Sequence, residues 1–343
     1  MLIIPDKQLG VNAFADVIDY YTRKYCSELV SDQTIENLVR VTRHLPALFS
    51  SNWGFELRPF NTIHGVDFLA CVHEPEQLVA RPGVEGQVSF PETFRPVIDA
   101  WQDKRSILHE GVKNIWFEID QEHLSLPDTP FNFFIGPVEN ASPLALADLL
   151  AHLVSLTSDG QLSKFKPALQ QLFRAKYLLQ DPSWIAQVGI MQARQQSGFR
   201  VFIQDISRQA ATGFLQGMSY QALDREDLWK CWDALENAGA RMALNVDLGR
   251  TIGPKLGLEA YFKTVDAAKD YLQEWAEENH AETSQYDALM RFMSQLDGQQ
   301  DGPLQPIFSH LKLVYVPDVF PELKAYFGFA KRKTLHLITY SKP

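Results

Sequence analysis

A short strand-like stretch recurs five times along this 343-residue chain, and it constrains the fold more than any other feature. The fullest copy is Leu323-Lys324-Ala325-Tyr326-Phe327-Gly328. Earlier copies read Leu258-Glu259-Ala260-Tyr261-Phe262, Phe199-Arg200-Val201-Phe202-Ile203 and Phe131-Asn132-Phe133-Phe134-Ile135, with a fainter one at Val66-Asp67-Phe68-Leu69. Their polar markers stand at 67, 132, 200, 259 and 324, spaced by 65, 68, 59 and 65 residues. In an extended chain alternate side chains share a face. Each marker and the aromatic two places later therefore point one way, and the residues between them point the other. Every copy is the second arm of an expected hairpin: 53–60 with 66–73, 113–120 with 131–136, 184–193 with 198–204, 241–248 with 255–263, and 308–316 with 323–329.

Between the hairpins the apolar period changes to that of amphipathic helices. Helices are expected at 11–29, from Ser31 toward Pro46, at 94–108, from Ser142-Pro143 toward Gly160, and at 164–179, 207–216, 225–237, 265–279 and 284–296. The order is helices then hairpin, five times, without parallel βαβ units. Ten antiparallel strands can close on themselves, which removes the edges an open sheet exposes. The helices must bury their apolar faces, and the outside of the barrel is the surface available. The expected architecture is therefore α+β: one domain over 1–343, a closed ten-stranded antiparallel β-barrel of five αββα repeats with an outer layer of helices. A polar loop at 74–89 reads as a lid or a surface excursion, and an apolar stretch at 335–340 as a last strand or helix.

Composition narrows the partners. A net charge of −10 repels nucleic acid and anionic membrane. Cys26, Cys71 and Cys231 lack the paired spacing of metal or redox sites and read as reduced thiols. No run of about 18 apolar residues occurs and the N-terminus has no signal-like pattern, so a cytoplasmic protein is expected, with neither nucleic acid nor membrane as partner. The chain carries no Asp-Asp-x-x-Asp, phosphate loop, dinucleotide glycine pattern, His-Glu-x-x-His or Gly-x-Ser-x-Gly.

The architecture and the repeated strand resemble the aromatic prenyltransferase family, the ABBA or PT barrel, which includes dimethylallyltryptophan synthases and cyanobactin peptide prenyltransferases. There, Lys/Arg-x-Tyr pairs on the second hairpin arms hold a prenyl diphosphate and shield an allylic cation. Lys324 and Tyr326 match that pair as they stand, and Arg200 with Phe202 matches it with an aromatic change. Glu259 with Tyr261 inverts the charge, Asn132 with Phe134 loses it, and Asp67 stands where dimethylallyltryptophan synthases place an arginine. The resemblance implies transfer of an isoprenyl group from an allylic diphosphate to an aromatic or peptide nucleophile in the lumen.

On that reading Arg58, Arg200, Lys312 and Lys324 bind diphosphate; Phe134, Phe202, Tyr261, Tyr326 and Trp116 flank the carbocation. Glu56 is the catalytic base, its pKa raised by partial burial. No cofactor is required and no metal-binding residue is assigned, although Glu118, Asp120 and Asp247 could recruit Mg²⁺ or simply pair with the cations. The aromatics could equally be core filling, Lys324 a partner of Glu259, and Glu56 a partner of Arg58. His310 and His73 read as structural or exposed. The alternative function is a divergent barrel without diphosphate chemistry that binds or modifies a peptide or small apolar ligand.

Overall fold

Ser31, Ser207, Thr264 and Thr283 each accept a hydrogen bond from a backbone N–H in the helix that follows, so these small polar residues act as N-caps. The computed structural model describes residues 13–43, 45–46, 49–50, 52–61, 65–78, 94–126, 130–138, 141–157, 162–194, 197–281, 283–296 and 303–331. Its helices are α1 (Phe14–Tyr25), α2 (Asp32–Thr42), α3 (Arg95–Gln102), α4 (Ile107–Gly111), α5 (Pro143–Thr157), α6 (Leu162–Leu178), α7 (Arg208–Gly217), α8 (Glu226–Asn237), α9 (Val265–Glu278) and α10 (Ser284–Gln295). Its strands are β1 (Asn52–Leu57), β2 (Val66–Val72), β3 (Val112–Ile119), β4 (Asn132–Pro137), β5 (Trp184–Ile190), β6 (Phe199–Gln204), β7 (Arg241–Leu248), β8 (Ile252–Tyr261), β9 (Leu304–Val316) and β10 (Val319–Lys331). Two helices precede each hairpin, five times over; cut one helix later, this is the expected αββα repeat.

Every strand pairs antiparallel with its neighbours in sequence, and β1 also pairs with β10, so the sheet closes into a ten-stranded barrel. Alternation then sorts side chains between wall and lumen. The outward residues meet the helices: the Trp53 ring lies 6.1 Å from Phe14 of α1 and 4.5 Å from Phe329 of β10. Phe94, at the start of α3, packs on Phe117 and Phe133, Phe165 of α6 on Phe199, and Phe292 of α10 on Phe327. The hydrophobic core is thus a shell between barrel and helices. Each such ring contributes roughly 1.5–3 kcal/mol by leaving water.

The helix expected at 94–108 is two helices. Asp103 is extended (ψ 108°), and its carboxylate accepts from the Arg105 N–H, a local turn that competes with helix. Ser106 then caps α4. Of the loop expected at 74–89, Pro75–Leu78 is a 3₁₀ turn and 79–89 lies outside the described residues, as does the stretch at 335–340. The three cysteines are free thiols. No helix among the described residues is long and apolar enough to cross a membrane.

Closure depends on a glycine pair. Gly54 and Gly328 face each other across the β1–β10 seam. A Cβ on Gly54 would lie 2.3 Å from the Phe327 carbonyl oxygen, and one on Gly328 would lie 2.2 Å from that of Trp53. Those are backbone atoms, so the strands would have to move apart. Gly328→Ala is expected to cost about 1–3 kcal/mol, read as a lowered midpoint in urea unfolding; an unchanged midpoint would show that the seam has slack.

Candidate active site

The lumen encloses a cavity of about 850 Å³, and the ten side chains given a role in prenyl transfer line it: Glu56, Arg58, Trp116, Phe134, Arg200, Phe202, Tyr261, Lys312, Lys324 and Tyr326. Alternation puts them there, since each stands at an inward position between outward apolar residues. Lys312 and Lys324 are direct cross-strand partners and only 9 % and 8 % exposed. Two lysines so placed repel each other unless carboxylates intervene.

Carboxylates do intervene. Lys324 Nζ donates to Glu56 Oε1 at 2.5 Å, and the Tyr326 hydroxyl donates to the other oxygen of Glu56. Arg58 donates to Glu56 at 3.1 Å and to Asp67 at 2.7 Å. Lys312 lies 3.2 Å from Glu259, which also accepts from Asn245 and, at 3.1 Å, from Tyr261. Arg200 makes a two-pronged pair with Asp247 at 2.8 and 3.2 Å. Glu259 therefore pairs with Lys312, not Lys324, because β9 separates their strands and brings Lys312 directly opposite Glu259. Gly257 allows this: a Cβ there would meet Lys312 Cε at 2.5 Å, so the lysine stem lies across the glycine.

Lys255 differs from these four cations. Among the described residues no carboxylate comes within salt-bridge distance of Lys255, on β8, which lines the same cavity. Burial, followed by the charges of Arg200, Lys324 and Lys312, pushes its ammonium down to about 8, with Asp247 opposing weakly. Lys255 shares the inward alternation of Gly257, Glu259 and Tyr261, and that period was the signal that could have found it. Arg194 was not legible, since it lies in the turn after β5; it donates to Glu118 at 2.6 Å and to Asp120 at 3.0 Å.

The aromatic side chains form a wall. His310 is sandwiched between Tyr261 (4.6 Å between ring centres) and Tyr326 (4.1 Å, nearly parallel). A register shift around Ser309 interrupts β9, and both Ser309 and His310 line the cavity, 2.9 Å apart. His310 is thus structural in its burial yet part of the lumen surface. His73 is half-buried and also lines the cavity. Across the barrel, Phe134 covers Gly189, its cross-strand partner, and pairs with Trp116 on its other side.

Titration departs from expectation at Glu56. Burial alone would raise its pKa, but the charges of Lys324, Lys312 and Arg58 reverse this and hold it well below the usual carboxylate range. Glu56 is an ionised acceptor. Glu118 behaves the other way: burial raises it to about 7 despite Arg194. Of the carboxylates considered for Mg²⁺, Glu118 and Asp120 are engaged by the Arg194 guanidinium and Asp247 by that of Arg200.

The ten-stranded closed barrel wrapped by helices, its lumen lined by cations and stacked aromatic rings, is the PT-barrel fold of aromatic prenyltransferases. The chain is similar to the apo crystal structure of the prenyltransferase PriB, at 13% identity and TM-score 0.57, with 96% of this chain and 98% of that one covered. The ternary complex of PriB with L-tryptophan and dimethylallyl thiolodiphosphate matches at 11% identity and TM-score 0.51, covering 96% and 98%. AnaPT from Neosartorya fischeri matches at 11% identity and TM-score 0.50, covering 96% and 94%. No protein-family model matches the sequence, and no curated protein matches it.

Two outcomes follow from this geometry. The folded protein holds the Glu118 proton up to about pH 7, whereas an exposed glutamate loses it near 4.5. Stability should therefore fall as pH rises through that window, and Glu118→Gln should flatten the fall in denaturation curves measured from pH 4 to 8. Gly257→Val should push Lys312 off Glu259 and lower the melting temperature; an intact Lys312–Glu259 pair in a crystal structure of that variant would refute the packing role given to Gly257.

Proposed function

We propose that the lumen accepts an allylic diphosphate and transfers its prenyl group to an aromatic or peptide nucleophile. The observation carrying this reading is the convergence of Lys312, Lys324, Arg200 and Lys255 on one wall, beside the Tyr261–His310–Tyr326 stack. The presence of L-tryptophan and a dimethylallyl thiolodiphosphate in the PriB complex supports the same substrate kinds. A diphosphate entering this wall meets Lys255 without displacing a carboxylate, and then competes for Lys312, Lys324, Arg200 and Arg58. The allylic C–O bond breaks with its electron pair going to the diphosphate oxygen. The resulting cation faces the negative ring faces of Tyr261, Tyr326, Phe202, Phe134 and Trp116.

The acceptor carbon then bonds to the cation, and the arenium ion loses its proton to Glu56. A weak base suffices, because an arenium ion is a strong acid. The low pKa of Glu56 is compatible with that role, and its charge also offsets that of the bound cation. Neutral tyrosines are favoured at the wall, since burial and nearby carboxylates raise the pKa of both Tyr326 and Tyr261.

A second reading rests on its own observation: Arg58, Arg200, Lys312 and Lys324 are each already neutralised by a carboxylate. A lumen so balanced suits a peptide or small apolar ligand bound without diphosphate. Calorimetric titration with dimethylallyl and geranyl diphosphates separates the two. Saturable binding is expected, unchanged by EDTA, followed by product formation in a screen of indoles, phenols and peptides; no binding to a folded protein would establish the second reading. Lys324→Ala should weaken diphosphate binding about 10–100-fold. Glu56→Gln should lower turnover about 10²–10⁴-fold with binding preserved.

A further inference from the structure

The lumen lysines of β8, β9 and β10 differ in their partners. Lys312 pairs with Glu259 at 3.2 Å and Lys324 with Glu56 at 2.5 Å. Lys255 has no carboxylate at salt-bridge distance among the described residues, and the charged groups acting on it from neighbouring strands are Arg200 on β6, Asp247 on β7, Lys312 on β9 and Lys324 on β10. Three of those four are cations, and Asp247 is occupied by Arg200. An amine confined among cations is more easily deprotonated, and the free amine is a nucleophile. The same cations would seat the anionic group of an incoming molecule within the cavity that Lys255 lines.

We propose that Lys255 is a reactive amine that forms an imine with a small aldehyde or ketone carrying a phosphate or carboxylate, the anionic group held by Arg200, Lys312 and Lys324. Nζ of Lys255 adds its lone pair to the carbonyl carbon. The carbinolamine then loses its former carbonyl oxygen as water, with both amine protons leaving, and a C=N bond replaces C=O. No oxidant or reductant is needed. The inference concerns the lumen without a prenyl substrate and stands apart from prenyl transfer: failure of diphosphate binding would leave it untouched.

Reductive trapping tests it. The full-length protein is incubated with pyridoxal 5′-phosphate as probe, reduced with borohydride, whose hydride adds to the imine carbon, and analysed by intact mass and peptide mapping. The expected result is saturable labelling of one site per chain, at Lys255, with a rate that climbs through pH 8. Pyridoxal without its phosphate should label about tenfold more slowly, since it lacks the charge the cations attract. Lys255→Arg keeps the charge and should abolish this label, and the thermal transition of that variant shows whether the barrel is intact. If Lys255→Arg misfolds, the site-resolved rates in the unmodified protein still decide. Labelling scattered over surface lysines with Lys255 among the slowest, equal rates for the two probes, or an undiminished label in folded Lys255→Arg would each overturn the proposal.

Discussion

Pairing of β1 with β10 is the interaction on which the rest of the structure depends. Without it the first and last strands would be edges with unpaired backbone groups, and the lumen would be one face of an open sheet. The Gly54–Gly328 contact brings the two backbones too close for any side chain at that level. Closure places Glu56 of the first strand beside Lys324 and Tyr326 of the last, residues some 270 positions apart in the chain. The seam therefore makes the barrel and the centre of the site together.

Closing a sheet around polar residues creates an electrostatic problem. A charge taken out of water is costly unless a partner of opposite sign and hydrogen bonds replace the lost hydration. The lumen meets this with interleaved signs: Arg58 with Asp67, Lys324 with Glu56, Lys312 with Glu259, Arg200 with Asp247 and Arg194 with Asp120. The strand carrying Glu259 in place of a cation thus supplies the counter-charge that lets Lys312 remain buried. Two groups shift toward neutrality: Lys255, which has no carboxylate at salt-bridge distance among the described residues, and Glu118, whose burial outweighs its pairing with Arg194. Perturbed groups of this kind concentrate where chemistry or binding occurs.

Much of the fold was legible because its period is short. Strands and helices were found through alternations that a few residues display, and the fivefold recurrence of the second arm fixed their number. The split of the helix at Asp103 was missed because a local side-chain turn overrode helical spacing. In the site, all ten residues given a role in prenyl transfer line the cavity, since side-chain alternation is a property of the strand itself, whereas Asp120, also read as inward, does not. The protonation of Glu56 was not legible: burial argued for a raised pKa, and the opposing charges come from β9, β10 and the residue following β1.

The sequence by itself determined the five-hairpin organisation, the apolar outward face, the helical coat and which residue types would line the lumen. These are consequences of local periodicity and of the need to bury apolar side chains. Only the tertiary structure decided which charge meets which, that His310 stacks between two tyrosines, that Arg194 reaches Glu118 and Asp120, and that Lys255 is left among cations. Electrostatic pairing depends on register and shear between strands distant in sequence, and a Coulomb interaction acts through distance in space rather than separation along the chain.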